Sequence, residues 1–149
     1  MSEAGYRGPQ VCKIVGITYR QLDYWARTGL VRPSVMDANG SGTQRLYAYR
    51  DLVELKVIKQ MLDAGISLQS ARKAVDALRA VDHDLASVRI VIQGPTVVLA
   101  QSDEQVMDLL RGGQGVLSVV LDIEPLQQTI TEAVQLAFDT GGTPRAAAR

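Results

Sequence analysis

Cysteine occurs once in the 149 residues, so no disulfide can form within the chain and a reducing cytoplasm is the expected compartment. Histidine also occurs once. His83 has Asp82 and Asp84 beside it, but adjacent positions point apart on any regular element, so no metal site is expected. No apolar run reaches the roughly 18 residues a membrane helix needs. The first ten residues, MSEAGYRGPQ, lack the apolar stretch of a signal peptide. There is no P-loop, no G-x-G-x-x-G, no Ser/His/Asp grouping and no cysteine pair, so neither an enzyme nor a bound cofactor is expected. Gly112-Gly113-Gln114-Gly115 is glycine-rich but follows a helical pattern instead of opening one, and reads as a turn into a strand. Cys12, at helical spacing with Val11 and Val15, reads as a core filler and not as a thiol sensor. Aromatic residues are scarce at 5%, and most fall in the first fifty positions.

Net charge is absent too, but only on average. Residues 1–81 hold 12 Lys+Arg against 7 Asp+Glu, and residues 82–149 hold 4 against 9, giving +5 and −5. A basic first half can meet phosphates, from which the acidic second half is repelled.

Pro9 opens a short helical pattern with Val11, Ile14 and Val15 inward, and Gly16 can end it. Thr18-Tyr19-Arg20-Gln21 is a capping box, followed by Leu22, Trp25 and Ala26 on one face. Gly29 ends this second helix. Two short helices around a glycine turn form a helix-turn-helix signal. Leu30-Val31-Arg32 and Arg45-Leu46-Tyr47 then read as two strands around the turn-rich loop Asp37–Gly42, making a β-hairpin wing. A third helix is expected over Arg50–Ala64 and a fourth after Ser67, with Leu68, Ala71, Val75 and Leu78 inward. Near residue 82 the pattern changes. Ser87–Ile92, Thr96–Leu99 and Val116–Ile123 read as strands. Ser102 opens one helix and Pro125 another.

The expected fold is therefore α+β. Residues 1–81 form a winged helix-turn-helix of four helices plus the hairpin, with its own small core. Residues 82–138 form a small β-α-β-α region for dimerisation or for binding a partner or effector. Residues 139–149, without apolar periodicity, form a disordered tail. Few aromatics and few convergent polar residues argue against a small-molecule pocket in the second half.

These residues resemble the MerR family of bacterial transcriptional regulators. The similarity runs through Gly16-Ile17-Thr18, Leu22, Tyr24-Trp25, Gly29-Leu30, Pro33, Arg45-Leu46-Tyr47, Asp51-Leu52 and Gly65-Ile66-Ser67-Leu68, over roughly residues 6–80. It implies a sequence-specific, double-stranded DNA-binding regulator acting as a homodimer on pseudo-palindromic promoter operators. RNA polymerase would be a further partner and the nucleoid the place of action. An architectural or adaptor protein, holding DNA while its acidic half recruits another protein, is the alternative. Thr18, Tyr19, Arg20, Gln21, Tyr24 and Arg27 are the candidate contacts on the second helix. Arg20 suits guanine and Gln21 adenine, while Tyr19, Tyr24 and Arg27 suit phosphates. Tyr24 has packing beside Trp25 as its other reading, and an ordinary solvated face is the other reading of Arg20, Gln21 and Arg27. The resemblance adds Arg45 and Tyr47 from the wing. Two departures stand out. Asp23 occupies a position where the family commonly has Arg, and it can pair with Arg27 or Arg20 or accept from a cytosine amino group. The family's long dimerising helix is replaced by the β-α-β-α pattern, so something in residues 82–138 is expected to take over dimerisation.

Overall fold

The computed structural model describes residues 5–35, 45–82 and 84–140, with side chains through Ala137. The wing loop Asp37–Gly42 and His83 lie outside the described residues. Four helices fill the first half: α1 (Gly8–Val15), α2 (Tyr19–Arg27), α3 (Tyr49–Asp63) and α4 (Leu68–Arg79). Gly16 closes α1 with φ at 86°, a left-handed conformation that costs glycine little. Thr18 Oγ1 accepts from Gln21 N at 3.0 Å, and Thr18 N donates to Gln21 Oε1 at 3.1 Å, so the α2 capping box forms in full. Ser67 caps α4 through Ser70 N.

The hairpin takes a different form from the one expected. Leu46–Tyr47 (β2) pairs antiparallel with Tyr6–Arg7 (β1), with Tyr6 opposite Tyr47 and Arg7 opposite Leu46. Leu30 and Val31 form no strand. Both amides donate back to the Trp25 carbonyl at the end of α2, and both side chains are buried. Their apolar character reflects a buried turn, which a two-residue signal cannot separate from a strand. Val35 N still donates to Leu46 O at 3.1 Å, which joins the two ends of the undescribed loop.

After a 3₁₀ turn at Leu85–Ser87 come β3 (Arg89–Gln93), β4 (Thr96–Ala100), α5 (Asp103–Gly112), β5 (Ser118–Asp122) and α6 (Ile123–Thr140). The strands form one antiparallel sheet in the order β4-β3-β5, with Val91 opposite both Val98 and Val120. Alternation gives the sheet two faces. On the outer face, Val91 and Ala100 pack with Val106, Leu109 and Leu110 of α5. The inner face, carrying Ile90, Ile92, Leu99 and Leu121, joins the main core. Helix α6 starts two residues before Pro125, whose missing N–H is harmless in a first turn. It also runs to Thr140, so the first two residues of the expected tail are helical and the rest lie outside the described residues.

One core spans both halves. Val11 and Val15 of α1, Trp25 of α2, Leu55 and Ile58 of α3 and Val75 of α4 share it with Leu85, Val88, Ile90, Ile123, Leu126 and Ile130. Helix α6 contacts both α1 and α3. Residue 82 therefore marks a change of architecture without a break in the core.

Candidate nucleic-acid interface

The three buried positions of α2, Leu22, Trp25 and Ala26, set the helix on the core by their i, i+3, i+4 spacing. The same geometry turns the intervening positions outward. Thr18, Tyr19, Arg20, Gln21, Tyr24 and Arg27 are all exposed, Tyr19 by 60% and Tyr24 by 50%. The Arg27 guanidinium lies 6.0 Å from the centre of the Tyr24 ring, a cation–π distance, so Tyr24 stands on the outer face and not in the core beside Trp25. Gly8, at the start of α1, packs closely on α2: a Cβ there would lie 3.2 Å from Tyr19 Cε1, so the tyrosine ring would have to move slightly to admit one. That contact brings the N-terminus of α1 and exposed Arg7 beside α2. Nothing near Arg7 in sequence marks it, since its place depends on pairing with Leu46.

Gln21 has a capping role that limits the adenine reading expected of it from the sequence. Its Oε1 is held in the cap, accepting from Thr18 N and, at 3.4 Å, from Thr18 Oγ1. Bidentate pairing with adenine needs that oxygen together with the amide nitrogen. With the cap intact, Gln21 offers only its N–H donors.

Asp23 pairs with two arginines. Arg27 Nε reaches Oδ2 at 2.9 Å, and Arg45 Nη1 reaches Oδ1 at 2.8 Å. Of the two helical partners open to it in sequence, Arg27 is the one engaged, and Arg45 joins across 22 residues. The hydrogen bonds from Arg45 and then Arg27 hold the Asp23 carboxyl below the ordinary aspartate range. Arg45 is thus committed to α2, with 15% of its side chain exposed. Tyr47 is fully buried in the core, so it leaves the set of outward contacts. Its strand pairs with Tyr6, and the alternation that turns Leu46 outward turns Tyr47 in.

Behind this face, a buried carboxylate holds the chain on either side of the loop. Asp51 Oδ2 accepts from Ser34 N (2.8 Å), Ser34 Oγ (2.7 Å) and Ala48 N (2.8 Å). Arg79 donates to Glu54 Oε1 at 3.2 Å and to Leu30 O at 2.7 Å. Burial pushes the Glu54 carboxyl up, and Arg79 offsets part of that rise. Cys12 is half-buried against the core, and burial raises its thiol pKa, away from a reactive thiolate. Among the described residues, no group of three or more His, Cys, Asp or Glu side chains is placed to hold a metal ion. No helix there is long and apolar enough to cross a membrane.

Residues 6–78 match the model of the MerR HTH family of regulatory proteins. These residues, just under half of the chain, form a MerR-type helix-turn-helix region. The chain is also similar to uncharacterized HTH-type transcriptional regulators of Mycobacterium bovis and of two strains of Mycobacterium tuberculosis. Each is 55% identical over 118 residues, covering 78% of this chain and 52% of the relative. The chain spans about half the length of the curated relatives it matches. The aligned stretch is longer than the MerR match, so these relatives also share part of the sheet-bearing half.

Proposed function

We propose that the chain is a sequence-specific, double-stranded DNA-binding transcriptional regulator. It places α2 in the major groove and acts as a homodimer on a pseudo-palindromic promoter operator in the nucleoid. The observation that carries this reading is the division of α2. Leu22, Trp25 and Ala26 anchor it, while Arg20, Tyr24 and Arg27 stand on its outer face with Tyr19 beside them. Arg20 sits in the first turn of α2, where recognition helices meet base edges, and has no hydrogen bond or ion pair to other described residues. Its fork of donors is free for guanine O6 and N7. The exposed aromatic and cationic groups around it suit phosphates. One helix-turn-helix covers a half-site, so two copies related by a two-fold axis match a palindrome.

Selection of binding sites from random duplexes tests this. A two-fold symmetric motif should be enriched. On that motif Arg20→Ala should lose about 1–3 kcal/mol of specific binding and relax preference at one base position per half-site. A selection that enriches no motif would remove the proposal. Unchanged affinity in the variant would remove Arg20 from the reading face.

A further inference from the structure

A cavity of 720 Å³ lies between the two halves, on the side of the molecule built from the α3–α4 turn and the sheet. Ile66, Ser67, Ser70 and Lys73 line it from the helix-turn-helix side, and Ile92, Pro95, Val116, Leu117 and Val119 from the other. The volume is that of a small-molecule site. Scarce aromatics, which argue against such a pocket at the level of sequence, leave walls of branched aliphatic side chains. At the rim Leu117 is 85% exposed and Val116 50%, an apolar edge next to an apolar interior. The lining contains one ammonium, Lys73, and no carboxylate, although the second half of the chain carries a net −5. Ser67, Gln69 and Ser70 bring the first turn of the twelve-residue α4 into the wall, with the positive end of its dipole. Lys73 Nζ donates to Pro95 O at 2.8 Å, which anchors the ammonium at the cavity while using one of its three N–H groups.

We infer that this cavity binds an amphipathic anion, an aliphatic chain ending in a carboxylate. The chain lies along Ile66, Ile92, Val119 and Leu117, and the head group meets Lys73 and the start of α4. Charge complementarity selects this occupant over a neutral or cationic one. A neutral chain leaves Lys73 without a partner anion, and a cation faces both the ammonium and the helix dipole. The inference is independent of the DNA reading, since binding is measured on the protein alone.

Octanoate, octanol and octylammonium, titrated into the ¹⁵N-labelled full chain below their aggregation concentrations, test it. Octanoate should shift the amides of Ile66, Ser70, Lys73 and Val119 saturably and bind more tightly than octanol, with octylammonium weakest. Lys73 is exposed on its helix, so Lys73→Gln and Lys73→Glu should fold as the parent does. The Gln variant should weaken octanoate by about tenfold, the worth of one hydrogen bond to a charged group, and the Glu variant by more. Octanol should bind both variants as it binds the parent. Three results would overturn the inference: no saturable shift at these residues, equal binding of the cationic and anionic chains, or shifts there that follow protein concentration without ligand and so reveal a second copy on the surface.

Discussion

Arg45 leaves the undescribed loop and turns back onto α2, where its guanidinium meets the Asp23 carboxylate that Arg27 also holds. Asp23 therefore answers two needs at one position. It fixes the end of the loop to the helix that faces outward, and its own charge is neutralised by two guanidiniums beside the exposed face of α2. The direction of its titration follows. A carboxyl held below its ordinary range contributes stability that is present above that range and is lost as pH falls through the depressed value. The Asp23 side-chain carbon, followed by NMR, should titrate below the ordinary aspartate midpoint, and Arg45→Gln should move that midpoint upward. An unmoved midpoint would mean that the pair does not hold in solution. The Arg27 pairing is legible from the i, i+4 spacing, whereas the Arg45 pairing is not, because no local rule joins residues 23 and 45. Gln21 shows a related loss. Its capping pattern and its adenine-reading chemistry are both visible in sequence, but only coordinates show that they compete for one oxygen.

At the scale of elements, the helices follow from local chemistry. Thr18, Ser67 and Ser102 each cap the helix that the sequence pattern expects, because a side chain three residues from its partner needs no tertiary help. What local chemistry leaves undecided is pairing at a distance. The partner of Leu46–Tyr47 is a two-residue strand forty positions earlier, too short to show a period. The segment Leu30–Ser34 is held instead by α3 and α4, through Asp51 and through Arg79 with its bonds to Glu54 and Leu30. Glu54 is 4% exposed, so removing its cation leaves a buried charge. Arg79 itself is 40% exposed, so solvent screens the pair in part and Arg79→Ala should cost about 1–3 kcal/mol at neutral pH. Burial already raises the Glu54 pKa, and loss of Arg79 raises it further. A raised carboxyl favours the folded state while protonated, so the cost of the variant should shrink as pH falls from neutral towards the ordinary glutamate range, where Glu54 is protonated in both folded proteins. Denaturant unfolding of both proteins across that range would show it. A cost independent of pH would place the loss in the Leu30 carbonyl contact.

At the scale of the whole molecule, charge and packing divide the chain differently. Charge changes sign near residue 82, whereas the apolar core crosses that point without interruption. The reason lies in the helices on either side. A short α1 with Val11, Ile14 and Val15 inward needs more cover than α2 and α3 provide, and α6 supplies it with Ile123, Leu126 and Ile130 at i, i+3, i+7. Each helix shows an apolar stripe in sequence, but a stripe does not name its partner, and so a shared core reads as two cores. Ile130 offers a test because it is fully buried and lies more than a hundred residues from Trp25, the one tryptophan, which sits in α2. Ile130→Ala removes three carbons from a filled interior and should cost about 2–5 kcal/mol. If the core is single, unfolding is one cooperative event, and Trp25 fluorescence must report the whole of that loss. The backbone amides of β3 should report the same loss at the same denaturant concentration. If the halves were separate folding units, the β3 transition would fall to lower denaturant while the Trp25 transition stayed where it is in the parent protein.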